Sequence, residues 1–295
     1  MNWILGMVLA LAGGTPFLAA AESPAKNGPP RNTEAWVIAP RVCRTCQTQT
    51  VWSSFLKFFP DVQTHFLTED DAQAKTLIKE LKIKMLPAFV LSRNIELEKS
   101  FGQVKDMLID AGDRYLLNPS SAGVSYFVDR KVQPGRLDLF IFWTQRETLP
   151  ILKMVEGLIH QKQSRQEFAL QFVGRKDPQS GELVSPLGRR EVQESMIYAC
   201  VENQYPKEAW KYLNCRLANI EDLFWQDCLP SKDVDKDKIT SCARGEMGKK
   251  LFQEKSQLSE ELGIGYAPLF LLDGVEVFGV TEQSTLKDIL SVIGQ

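Results

Sequence analysis

Apolar and polar positions recur along this chain in two periods, and the alternation between them predicts a definite order of elements. Glu34 to Ala39 is a short apolar strand candidate, followed at once by Cys43 and Cys46. Val51 to Phe59 reads as a helix, and Val62 to Leu67 as a second strand with Val62, Thr64 and Phe66 in alternation. Between Asp70 and Leu81, apolar Ala74, Leu77, Ile78 and Leu81 fall at helical spacing. Pro87 to Leu91 reads as a strand opened by a proline, where a missing N–H is tolerated. Ile95 to Phe101 is expected to pair with it, and Val104 to Gly112 to form a closing helix.

A stretch containing Pro119, Gly123, Pro134 and Gly135 predicts a linker over 117–136, after which a similar order restarts. Leu137 to Trp143 is a strongly apolar strand, Leu149 to Gln161 a helix, and Phe168 to Val173 a second strand. Residues 189–243 are helix-rich and hold Cys200, Cys215, Cys228 and Cys242; Lys249 to Leu262 extends the last helix. A strand then begins at Tyr266-Ala267-Pro268. Asp273-Gly274 reads as a hairpin turn, Val275 to Val280 as the return strand and Thr285 to Ile293 as a final helix.

The N-terminus adds a compartment. Trp3 to Ala12 is apolar, Gly13-Gly14 breaks the run, and Ala19-Ala20-Ala21 places small residues where a signal peptidase cuts. The expectation is a signal peptide over 1–21 and a flexible leader over 22–32, with a periplasmic or secreted mature protein and no membrane span after cleavage. An uncleaved anchor is the alternative, although the run is short of the ~20 apolar residues a spanning helix needs. Export makes the even count of six cysteines a disulfide framework. A net charge of −2 argues against a nucleic-acid partner. Two histidines, His65 and His160, are too few for a histidine-rich metal site or a histidine triad. No dinucleotide motif is present, and neither a cofactor nor a metal is expected.

Cys43-Arg44-Thr45-Cys46 is the sharpest chemical motif. Disulfide exchange needs one thiolate that attacks and a second thiol that resolves the mixed disulfide. At the start of a helix, Cys43 would gain from the unsatisfied N–H groups and the dipole, with Arg41 and Arg44 adding positive charge. A static local disulfide and half of a metal site are the competing readings. The four later cysteines form no Cys-x-x-Cys and read as two structural disulfides. Three connectivities are open; Cys200–Cys215 with Cys228–Cys242 is favoured because each pair closes a short helix–turn–helix stretch. His65 on its strand, Trp143 in its apolar run and the charged stretch Lys232 to Lys238 read as structural or solvated residues.

The order β-(CxxC)-α-β-α-Pro-β-β-α over roughly 33–112 resembles the thioredoxin fold, on the Cys-x-x-Cys after a strand and the Leu86-Pro87 step before the third strand. The resemblance implies a cis proline beside the cysteine pair and a backbone at Leu86 offered to an extended substrate peptide. Val42 and the Arg-Thr dipeptide depart from that family's pattern. The second half resembles the DsbA-like and gamma-interferon-inducible lysosomal thiol reductase-like families, on Ala199-Cys200, Cys215, Cys228, the run Cys242 to Gly248, and Ala267-Pro268. Its Cys-x-x-Cys is lost: Trp143 to Thr148 stands in that place with no thiol. Pro268 should share the geometry of Pro87, and the groove at Ala267-Pro268 could still bind peptide.

The sequence thus predicts an α/β protein of two tandem thioredoxin-like domains, 33–116 and 137–295, the second with a cysteine-containing helical insertion. The expected function is an exported protein disulfide oxidoreductase. Cys43 attacks, Cys46 resolves, and protein thiols or disulfides and a redox partner protein are its partners. A redox-inactive binding or scaffold protein and a thiol carrier for copper or haem assembly are the alternatives.

Overall fold

The computed structural model describes residues 32–160, 167–281 and 283–294. The expected signal peptide and all but the last residue of the expected leader lie outside the described residues. Among the described residues no helix is long and apolar enough to cross a membrane.

The first half runs β1 (Glu34–Ala39), α1 (Thr48–Leu56), β2 (Gln63–Thr68), α2 (Ala72–Glu80), β3 (Met85–Leu86), β4 (Ala88–Ser92), α3 (Phe101–Val104), β5 (Leu108–Asp110), β6 (Arg114–Leu117) and α4 (Pro119–Ala122). A short strand, β7 (Tyr126–Phe127), follows. The second half opens with β8 (Arg136–Ile141), α5 (Thr148–His160), β9 (Glu167–Phe172), β10 (Arg175–Lys176) and β11 (Leu183–Val184). Four helices come next: α6 (Arg189–Gln204), α7 (Pro206–Ala218), α8 (Lys236–Arg244) and α9 (Glu246–Leu262). The chain then forms β12 (Leu269–Leu272), β13 (Glu276–Gly279) and α10 (Leu286–Ile293).

Two larger sheets organise these elements. The first has the order β2-β1-β4-β6-β5, the second β3-β7-β13-β12-β8-β9. At the heart of each, a parallel pair (β1 with β2, β8 with β9) is extended by two antiparallel strands. Helices cover the faces, so the fold is mixed α/β. One strand of each parallel pair is almost wholly apolar and buried, as a sheet covered on both faces requires: β1 buries Ala35, Trp36, Val37 and Ile38, and β8 buries Leu137, Leu139, Phe140 and Ile141. Trp52, Phe55, Phe59 and Phe89 fill the first core. A larger core gathers Trp143, Phe172, Tyr198, Tyr212 and Phe252.

The strand paired with β4 on the side away from β1 is β6, not the expected Ile95–Phe101. Residues Arg93–Leu97 form a 3-10 helix that buries Ile95. The expected closing helix over 104–112 holds β5 instead, which turns back into β6 through Gly112 at φ +87°. The Ala111-Gly112-Asp113 turn signal outweighs the weak helical periodicity before it. The segment 117–136 contains α4 and β7, and β7 bridges β13 to β3. The chain therefore crosses between the sheets at Leu86-Pro87: Leu86 ends β3 in the second sheet, and Ala88 begins β4 in the first.

The disulfides are Cys200–Cys242 and Cys215–Cys228. This corrects the favoured pairing of neighbours in sequence. Helix packing decides it: α6 lies against α8 and brings Cys200 to Cys242, while the 3-10 turn Trp225–Cys228 folds back on the end of α7 and meets Cys215. Gly248 belongs to the same contact. A Cβ there would stand 2.7 Å from the Cys242 carbonyl, so only glycine lets α9 approach so closely. Between α6 and α7, buried Arg216 grips buried Glu194 with two hydrogen bonds, 2.6 and 2.8 Å, and also donates to the carbonyls of Asn219 and Asp222.

Candidate active site

β1 ends at Ala39 and releases the loop that carries Cys43 and Cys46. The two sulfurs are joined, with Cα atoms 5.6 Å apart. Both cysteines are half-buried, while Val42 beside them is 67% exposed. The Cys46 N–H donates to Cys43 Sγ at 3.1 Å, so the backbone favours negative charge on Cys43 rather than on Cys46.

The helix does not supply this polarity as the sequence predicts. α1 begins at Thr48 with Gln47 as its N-cap, leaving Cys43 four residues outside the cap, beyond the reach of an effect confined to the first turn. The two arginines are also engaged. Arg41 pairs with Asp70 at 2.7 Å, and Arg44 with Asp273 at 3.3 Å.

What meets the loop is a carboxylate from the far end of the chain. Glu276, on β13 and buried, accepts from the N–H groups of Arg44 and Thr45, each at 2.7 Å, and from the Thr45 hydroxyl at 2.8 Å, all on Oε1. The same oxygen stands 3.4 Å from Cys43 Sγ. Sequence reasoning missed Glu276. The signal was there in principle, since Val275-Glu276-Val277-Phe278 sets one charge in an apolar strand, and a buried charge needs partners.

Both proline steps are cis, Leu86-Pro87 and Ala267-Pro268. Ile38 pairs with Ala88, so Pro87, one residue earlier, stands beside the end of β1 where the cysteine loop departs. In the second half Phe140 pairs with Leu269, and Pro268 likewise stands beside Ile141 and the loop 143–148. The two backbones are engaged differently. The Leu86 carbonyl accepts from Ser125 N–H at 2.9 Å, and Tyr126 pairs with both Leu86 and Glu276. Burial, then the charges of Glu69, Glu276 and Asp70, hold the Tyr126 phenol above its usual value of 10. Ala267 lies outside the β12–β13 pairing, next to Tyr266, which is 61% exposed.

The thiol-free loop of the second half repeats the carboxylate contact. Glu191 on α6, buried, accepts from the N–H groups of Trp143 and Thr144 and from the Thr144 hydroxyl. Trp143 is buried and donates its indole N–H to Ser195, a core role. His65 is half-buried, stacked on Trp36 and 3.5 Å from Glu34.

Fold and loop define a mixed α/β protein with a Cys-x-x-Cys disulfide and, among the described residues, cis peptides at Leu86-Pro87 and Ala267-Pro268. Solved structures similar to it include several DsbA proteins. The oxidoreductase DsbA from Xylella fastidiosa aligns over 58% of this chain and 95% of its own, at TM-score 0.44 and 12% identity. The DsbA disulfide interchange protein from Klebsiella pneumoniae aligns over 58% and 96%, at 0.41 and 13%. Pseudomonas aeruginosa DsbA aligns over 55% and 82%, at 0.42 and 12%. No family model matches the sequence, and no curated protein matches it.

Proposed function

We propose that this chain is an exported protein thiol–disulfide oxidoreductase working through Cys43 and Cys46. The observation that carries the reading is the Cys43–Cys46 disulfide at the end of β1, half-buried, beside a cis proline and with a backbone N–H on one sulfur only. In this reading Cys43 attacks and Cys46 resolves. In the oxidising direction, a substrate thiolate attacks Cys43 Sγ, the Cys43–Cys46 bond breaks and Cys46 leaves as thiolate. A second substrate thiolate then displaces Cys43, forming the substrate disulfide and leaving the pair reduced. The reverse sequence reduces a substrate disulfide.

The chain divides into domains at 33–116 and 137–295, and the second is redox-silent. Trp143 to Thr148 has no thiol, and the other four cysteines are engaged in staples. Ala267-Pro268 serves as a docking edge for an extended peptide, by strand addition. Partner proteins trapped as mixed disulfides on a Cys46→Ser variant identify the substrates. A Cys43→Ser/Cys46→Ser variant should lose all exchange activity.

A second reading, a redox-inactive scaffold, is favoured by Glu276 covering the loop and by Ser125 covering Leu86. The reduction potential separates the two. Exchange-competent pairs fall at roughly −270 to −120 mV, structural disulfides below about −300 mV.

A further inference from the structure

Three successive N–H groups of the cysteine loop serve two neighbouring acceptors. Those of Arg44 and Thr45 hold Glu276, and that of Cys46 holds Cys43 Sγ. Such a row of amides forms an anion-binding nest. Here its anion is a carboxylate from β13, 3.4 Å from a sulfur that can carry a charge only once the disulfide is reduced.

We infer that Glu276 is a redox-dependent latch on the Cys43–Cys46 loop, seated while the pair is a disulfide and expelled when Cys43 becomes a thiolate, so that reduction uncovers the loop to a protein partner. The inference rests on the reading that the pair undergoes exchange, and adds to it a control of access.

The chemistry balances with a dithiol as reductant. It supplies two electrons and two protons, the Cys43–Cys46 bond becomes two thiols, and the reductant's own thiols join as a disulfide. Cys43 then loses its proton to solvent. The thiolate would stand 3.4 Å from the Glu276 carboxylate oxygen, and two negative charges at this separation repel strongly in a partly buried site. The charged and titratable groups around the cysteine loop are Arg41 and Arg44 on the loop itself, Glu69 and Asp70 after β2, which hold Arg41, Asp273 on the β12–β13 hairpin, which holds Arg44, and Tyr126 on β7, which feels Glu69, Asp70 and Glu276. Both arginines are occupied by aspartates while Glu276 is seated. Asp273, the partner of Arg44, lies on the same hairpin as Glu276. The second half supplies the contrast. Glu191 holds two amides and a hydroxyl in the same way, but no sulfur is there to displace it.

Hydrogen exchange on the full chain tests this. Peptides covering 40–48 and 273–279 are compared between the oxidised chain and the chain reduced with a phosphine, which cleaves the disulfide whether or not thiols can. A Cys43→Ser/Cys46→Ser variant treated alike removes any contribution from the other two bridges. The expected result is exchange at least tenfold faster on reduction, growing as pH rises through the titration of Cys43 and absent from the serine variant. In Glu276→Gln, reduced Cys43 should alkylate about tenfold faster at neutral pH, and the step in exchange with pH should vanish. Equal protection of both peptides in the two redox states would overturn the latch even if the pair turns over substrate. Failure of dithiols to reduce a pair that the phosphine reduces, with the exchange change intact, would overturn the oxidoreductase reading instead.

Discussion

The Leu86 carbonyl, next to the cis peptide at Pro87, accepts its hydrogen bond from Ser125 of the same chain. The backbone edge that the thioredoxin resemblance offers to a substrate is therefore taken up by β7, which also joins the second sheet at Glu276.

Ser125→Pro removes that donor and leaves a buried acceptor unpaired, at a cost of about 1–3 kcal/mol. Segment 124–128 should exchange its amides faster, and protein dithiols should reduce Cys43–Cys46 faster than in the parent chain. Stopped-flow reduction and hydrogen exchange measure the two effects. An unchanged reduction rate with β7 loosened would show that β7 does not limit access.

The two helical staples should differ in worth. Cys200–Cys242 spans 42 residues and Cys215–Cys228 spans 13. On loop-closure entropy the longer bridge contributes about 1 kcal/mol more, within a usual range of about 2–5 kcal/mol for each. Urea unfolding of the two paired Cys→Ala variants gives the order.

Arg216→Met should destabilise the helical region by about 3–5 kcal/mol, because it strands the Glu194 carboxylate in the core. Glu194 is only 8% and Arg216 2% exposed. Replacing both by apolar residues, Arg216→Met with Glu194→Leu, should recover much of the loss. Denaturant midpoints of the single and paired variants form the necessary cycle.

α10 should lose its anchorage in acid. The Thr285 backbone N–H, then its hydroxyl, hold the Asp288 carboxyl below its usual 3.8. A carboxyl with a depressed folded-state value stabilises the fold above the unfolded value, and that contribution fades as pH falls through the folded one. Protection of the α10 amides should therefore decline below about pH 4, the usual carboxyl range. In Asp288→Asn this decline should flatten, and amide exchange across a pH series reads it out.

What the sequence determined alone is what depends on near neighbours. Cys43-x-x-Cys46 after an apolar strand, the prolines at 87 and 268, and the Asp273-Gly274 turn, with φ +53° and +75°, are local chemistry, and each stands where the pattern put it. Strong periodicity likewise placed α2, α5 and the strands of both parallel pairs to within a few residues. Tertiary structure decided whatever depends on which surfaces meet. Glu276 reaches Arg44 across 232 residues, because pairing of β3, β7 and β13 lays the second sheet against the cysteine loop. Cys200 takes Cys242 rather than its nearer neighbours because α6 packs on α8. The charge around Cys43 is set the same way. Its arginines, its nearby amides and its facing carboxylate are shared out by contacts between distant segments, and a linear pattern of residue types carries no information about distances of that kind.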